Sequence, residues 1–292
     1  MQHAYIKDTF DAVPISPAMW IDTHCHLDAS EFAGAALAVA ERAAGNGVAA
    51  IVIPAVHPNN FAAVAELARQ RSDCFYALGI HPMYVPTAQE SALPALRAEV
   101  ARLMALPASL THFVAIGEIG LDFFVPALRQ SPLKEKQEFF YTEQLKIARD
   151  FALPVLLHVR RSQDIILKHL RRIQVVGGIA HAFNGSEQQA QIFIELGFKL
   201  GFGGAMTFSR ALQIRRLAAE LPLESIVLET DAPDMSPSWL HPAINSPAEL
   251  PQIGRVLATL RGLSAEQVAT QTSANAHKVL PRMLLALPRP LP

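Results

Sequence analysis

Apolar residues fall into short runs separated by longer stretches of mixed character. The short runs predict strands at Trp20–His26, Ala49–Val56, Cys74–Ile80, Phe113–Ile119, Pro154–His158, Gly178–His181, Lys199–Phe202 and Ile226–Glu229. Runs this apolar mark strands covered on both faces. Between them, segments rich in Ala, Leu, Glu and Arg predict helices, among them Glu31–Ala44, Asn59–Arg71, Leu133–Phe151 and Ser186–Leu196. Ser186 is placed as an N-cap with Gln189 as its reciprocal partner. A last helical segment is predicted over 264–285, and a Pro-rich end follows from Pro288.

Alternation of strand and helix argues for parallel βαβ units. The strands number eight, which closes a (β/α)8 TIM barrel. An open doubly wound sheet is the competing arrangement. It needs a Gly-rich phosphate loop after the first strand, where this chain has histidines. The Pro-rich stretches 82–110 and 232–247 read as loops over one mouth of the barrel. The expected organisation is an N-terminal extension 1–18, one barrel domain 19–285 and a tail 286–292. Met19 stands directly before the first strand, so residues 1–18 are either a native extension or lie upstream of the true start.

Composition narrows the function classes. A chain of 292 residues that is 51% hydrophobic can bury a barrel core. Its net charge of −1 excludes a global basic field, so any nucleic acid must be held locally, at an end or a short segment. The two cysteines, Cys25 and Cys74, are too few for a disulfide framework and fit a reducing, cytoplasmic setting. No apolar run reaches the roughly eighteen residues of a membrane span, so no membrane partner is expected, and no obligate protein partner is indicated.

The chemistry sits at the strand ends. His24 and His26 alternate with Cys25, so both imidazoles face one way and Cys25 faces the packing side. Glu118, His158, His181 and Asp231 each close or follow another apolar run. In this fold the C-terminal strand ends build the active site. A His-x-His pair alone often arises by chance. Six metal-capable side chains gathered at one mouth are harder to explain as packing, because burying them unpaired costs several kcal/mol, on the order of 1–3 for each group.

The motifs IDTHCHLD, GIHP, GEIGLD, HVR, HAFNG and ETDAP follow one another between Trp20 and Leu280. In that order they resemble the TatD family of metal-dependent hydrolases, and ETDAPDM with the segment after the fourth strand resembles its YjjV-like branch. The resemblance implies two divalent metal ions per subunit. His24, His26 and Asp231 would hold the first, His158 and His181 the second, and Glu118 would bridge them. Such ligands suit Zn, Mn or Ni, and Mg with fewer positions filled, which leaves the metal's identity open.

The implied activity is that of a deoxyribonuclease acting on DNA ends, with 3′-5′ exonuclease-like phosphodiester hydrolysis by a water that two metals activate. The alternative is hydrolysis of another ester or amide, such as D-aminoacyl-tRNA deacylation or a small-molecule amidohydrolase reaction. Asp231 is either the general base, through its second oxygen, or a ligand alone; Glu118 is its catalytic companion. His81 either faces the substrate or caps its loop. Arg160 shares the parity of His158 and is expected to grip phosphate oxygens, whereas Arg161 is expected to point away into the next helix. Asn184 is expected to donate to substrate, with Gly185 permitting a tight turn beside it. Asp122 either supports a histidine or starts a turn, and Thr230 is structural. The chain departs from the family pattern at Val159, where relatives often carry Ser, and at Leu280, where they carry Phe. The loop around Asn245 and Pro247 lacks the family's arginines, which weighs against tight polynucleotide binding.

Overall fold

Eight parallel strands lie side by side in chain order in the computed structural model, which describes residues 19–286. They are β1 (Trp20–Asp22), β2 (Val48–Pro54), β3 (Cys74–Leu78), β4 (Phe113–Asp122), β5 (Val155–Arg160), β6 (Gly178–Ala180), β7 (Phe198–Phe202) and β8 (Ile226–Leu228). The sheet curls until its edges meet: the backbone N–H and the hydroxyl of Thr23 both donate to Leu228 O, at 3.1 and 3.0 Å. The helices are α1 (Ala36–Gly45), α2 (Phe61–Gln70), α3 (Ala92–Met104), α4 (Ala108–Thr111), α5 (Leu133–Asp150), α6 (Gln163–Arg172), α7 (Glu187–Glu195), α8 (Leu212–Glu220), α9 (Leu250–Arg261), α10 (Ala265–Val279) and α11 (Arg282–Ala286). This is the expected TIM barrel.

Strand parity sorts the apolar residues into two cores. Ala50, Val52, Phe75 and Ala77 pack inside the barrel, while Ile51, Ile53, Tyr76 and Leu78 face the helices. Both sets are buried, which is why the strands read as unbroken apolar runs. The inner core is completed from the N-terminal end of the strands by Leu280 and Met283, which follow α10 and enter the barrel. Arg282 fastens this plug by donating from Nε to Phe113 O at 2.7 Å.

Several boundaries move. Residues 82–110 are not one loop, because they contain α3 and α4. Leu93, Leu96, Val100 and Leu103 form the buried stripe of α3. Pro94 hides this helix from a sequence reader, yet it sits in the first turn, where the missing N–H has no partner to lose. The segment Glu31–Ala44 is broken, because Ala33 (φ 49°) and Gly34 (φ 76°) are left-handed and α1 starts only after them. Residues 232–246 carry neither helix nor strand, as expected, and a 3-10 turn begins at Pro247. Ser186 caps α7 reciprocally with Gln189. No helix among the described residues is long and apolar enough to cross a membrane. The extension expected over 1–18, and the tail beyond Ala286, lie outside the described residues.

Candidate metal centre

The ladder of β1 stops at Asp22, short of the expected His26, but extended backbone continues, with Cys25 N donating to Val52 O at 3.1 Å. Alternation therefore survives: Cys25 is buried in the outer core and the two imidazoles converge, His24 Nε2 lying 3.4 Å from His26 Nε2. Glu118 Oε2 lies 3.3 Å from His24 Nε2 and 3.5 Å from His26 Nε2. Asp231 Oδ1 completes the group at 3.7 and 3.6 Å. Donor atoms around an ion with bonds of about 2.1 Å stand about 3.4 Å apart in a tetrahedron. Each of the two imidazole nitrogens thus stands from the other, and from both carboxylate oxygens, about as far as donors around a divalent cation stand from one another.

The other Glu118 oxygen faces a second group. Oε1 is 2.9 Å from His158 Nδ1 and 2.9 Å from His181 Nε2, and these two nitrogens are 3.5 Å apart. His81 Nε2 also approaches Oε1, at 3.3 Å. Its Nδ1, however, accepts from Met83 N at 3.1 Å, so in the neutral ring the proton is on Nε2. Burial pushes His81 down to about 4, which keeps the ring neutral. His81 is therefore a hydrogen-bond donor, which leaves His158 and His181 as the imidazoles that could turn a lone pair to a cation on giving up a proton. His81 also caps the turn at Pro82–Tyr84, as the second of its two expectations has it, and the residue lines the cleft.

The electrostatics favour positive charge between these groups. Burial alone would raise the Glu118 carboxyl, but the surrounding imidazoles of His81, His181 and His24 hold it well below the carboxylate range. Burial likewise opposes charge on His181, yet the facing Glu118 carboxylate lifts it to about 10. His24 goes the other way: burial keeps it neutral, with its lone pair open. Protons and divalent cations compete for such sites.

The supports are built into the strand ends. Asp122 Oδ2 is 3.1 Å from His158 Nε2, while Oδ1 accepts from Phe124 N and Val125 N at 2.8 and 3.0 Å. Asp122 thus both supports a histidine and starts a turn. Thr230 is structural: its hydroxyl donates to Asp22 Oδ2 at 2.6 Å. The buried Asn245 amide donates to Thr230 O at 2.8 Å, which ties the loop after β8 beneath Asp231.

The sequence reading missed Glu229. Its Oε1 accepts from Ala182 N and lies 3.8 Å from His181 Nδ1. Oε2 has no partner among the described residues, and burial pushes the carboxyl up to about 8. Gly201 makes the room, since a Cβ there would sit 2.1 Å from Glu229 Oε2. Parity was the available signal, because Glu229 and Asp231 flank Thr230 as His24 and His26 flank Cys25.

Three rim residues complete the comparison. Arg160 lies at the mouth, as its parity predicts, and Asn184 lines the same cleft. Arg161 corrects the expectation: it has φ 55°, which turns its guanidinium back over the ring of Phe124 instead of into α6. Gly185 shows no left-handed turn; it is needed because a Cβ would meet the Phe183 ring at 2.7 Å.

A family model described as TatD related DNase matches residues 21–281. The uncharacterized metal-dependent hydrolase YjjV of Escherichia coli (strain K12) is 40% identical over 88% of this chain and 96% of its own length. The crystal structure of YjjV, a TatD homolog from Escherichia coli K12, superposes with a TM-score of 0.83 at 38% identity, covering 90% of this chain and 98% of that one. A protein of Pantoea sp. (strain At-9b) named 3′-5′ ssDNA/RNA exonuclease TatD is 30% identical over 88% of this chain and 98% of its own length.

Proposed function

The chain belongs to the TatD-related DNase family of metal-dependent hydrolases, and on that premise we propose that it removes nucleotides from DNA ends by phosphodiester hydrolysis, in the 3′-5′ direction. The observation that carries this reading is the split allegiance of Glu118. Its two oxygens face two separate donor groups at one barrel mouth. His24, His26 and Asp231 would hold one divalent ion and His158 and His181 the other, with Glu118 offering one oxygen to each group. Divalent cations, when bound, supply the Lewis acidity that lets a water ionise near neutral pH and that takes up charge on phosphate oxygens.

The protein's own groups do the rest. Asp231 directs Oδ1 at His24 and His26, and its second oxygen accepts the proton of the attacking water. His81 donates from Nε2–H to a phosphate oxygen, with its tautomer fixed by Met83 N. Arg160 and Asn184 bind the substrate at the rim. The cleft above the centre encloses about 1860 Å³. Pockets for small molecules are on the order of 300–1,000 Å³, so its size favours the end of a polymer over a small ester or amide.

Glu229 is read as the positioning partner of His181, as Asp122 is of His158. Glu229→Gln is expected to weaken zinc binding about 10- to 100-fold, the usual effect of removing a carboxylate behind a metal-bound histidine. Competition against a chelator measures this directly, and wild-type affinity in the variant would remove Glu229 from the site.

The activity itself is tested by digesting end-labelled single-stranded DNA with protein loaded with Mg2+, Mn2+ or Zn2+, beside His24→Ala. Stepwise loss of terminal nucleotides by the wild type alone is expected. An intact ladder with every metal, despite bound ions, would move the substrate to another ester or amide.

A further inference from the structure

Many arginines of the described chain are matched to acids. Arg69 pairs with Glu66, Arg71 with Glu41 and Asp73, Arg97 with Asp150, and Arg102 with Glu99. Arg160 and Arg161 differ. They are consecutive at the end of β5, and both guanidinium groups stack on the half-exposed ring of Phe124, 3.9 and 4.8 Å from its centroid. Arg160 comes no closer to an acid than 3.9 Å, from Nη1 to Asp122 Oδ2, and that carboxylate already serves His158 and two backbone amides. Arg161 makes no ion pair among the described residues. Neighbours on an extended strand would point to opposite faces; with φ 55° at Arg161, both cations instead meet the one ring of Phe124 and line the same cleft.

Two like charges held side by side without a counter-ion repel each other. The aromatic face offsets part of this and fixes both planar groups in place before any ligand arrives. The rest of the mouth is charged in the opposite sense. Asp28, Glu31 and Asp234 line the cleft where β1 and β8 meet, across from the arginines. A chain of phosphates that enters this cleft meets attraction on the β4–β5 side and repulsion on the β8–β1 side. Arg160 is separated from Glu118 by Asp122 and His158, so its guanidinium stands beyond the donor cluster, not over it.

We propose that Arg160 and Arg161, stacked on Phe124, form a subsite for a second phosphate of the substrate, next to the one that is cleaved. The subsite rests on the phosphodiesterase reading above and sharpens it: the preferred substrate carries at least one further phosphate, and its chain leaves the cleft over β4 and β5. Guanidinium groups suit this task because they present paired N–H donors to two oxygens of one phosphate.

The test compares a dinucleoside monophosphate, with one phosphate, and a trinucleoside diphosphate, with two. The quantity read is the ratio of their kcat/KM values for release of the first nucleotide, in metal-loaded wild type and in Arg161→Gln. Arg161 is exposed, so the variant is expected to fold. The wild type is expected to favour the trimer, and Arg161→Gln to lower the ratio about tenfold, the size of one charge-assisted contact. A ratio within twofold of wild type would overturn the subsite. Calorimetric titration of both compounds separates this failure from failure of the phosphodiesterase reading. If neither compound is cleaved, a trimer preference in binding that disappears in Arg161→Gln upholds the subsite and discards the reaction. Equal affinity for both compounds in the wild type discards the subsite.

Discussion

Glu118→Ala is expected to lose most of its bound metal and at least about a thousandfold in phosphodiester hydrolysis, because the Lewis-acid contribution is several kcal/mol and each 1.4 or so is tenfold. Glu118 places one oxygen in each donor group. Its removal leaves five imidazoles, those of His24, His26, His81, His158 and His181, facing a space that no longer holds their anion. His181, lifted to about 10 chiefly by that carboxylate, loses the largest cause of the shift and keeps only the smaller pull of Asp231 and Glu229. Metal content by atomic emission and turnover on end-labelled DNA are measured on one preparation, with circular dichroism to show that the barrel is formed. Two ions per chain together with full activity would end the bridging assignment.

Asp231→Asn separates the two roles that one carboxylate can play. The amide keeps an oxygen of the same reach towards His24 and His26, but it cannot accept a proton at neutral pH. If Asp231 is the base, kcat falls about 10²- to 10⁴-fold, while metal content falls far less. Loss of metal in step with activity would instead make Asp231 a ligand only. Burial raises the carboxyl of Asp231 above its usual value, so it sits in a region where proton acceptance is easier than for an exposed aspartate. Excess metal in the assay decides between the outcomes, because it rescues a weakened ligand and cannot replace a base.

Much of this site is legible in the sequence, for a physical reason. A strand buried on both faces reads as an apolar run, so a histidine or carboxylate at its end stands out. His158 and His181 are visible this way, and the parity of His24 and His26 carries through even where the ladder of β1 has stopped. What escapes is whatever depends on backbone turns or on contacts between strands. Arg161 faces the mouth only because of one left-handed residue conformation. Glu229 matters only because Gly201 on the neighbouring strand leaves space for it. α3 is masked by Pro94, whose cost depends on its position in the first turn and not on its presence. Arg160, by contrast, lies where simple alternation puts it.

The plug at the other end of the barrel has its own bearing on turnover. With Leu280 and Met283 filling the strands' N-terminal end, the centre is a dead end and not a passage. In the proposed reaction a strand would not thread through; it would enter by its tip, and each severed piece would have to back out past the remainder. Substrate and product would share one doorway, so a freed nucleotide, which carries the same phosphate, would contend with the next tip for the space that it has just vacated.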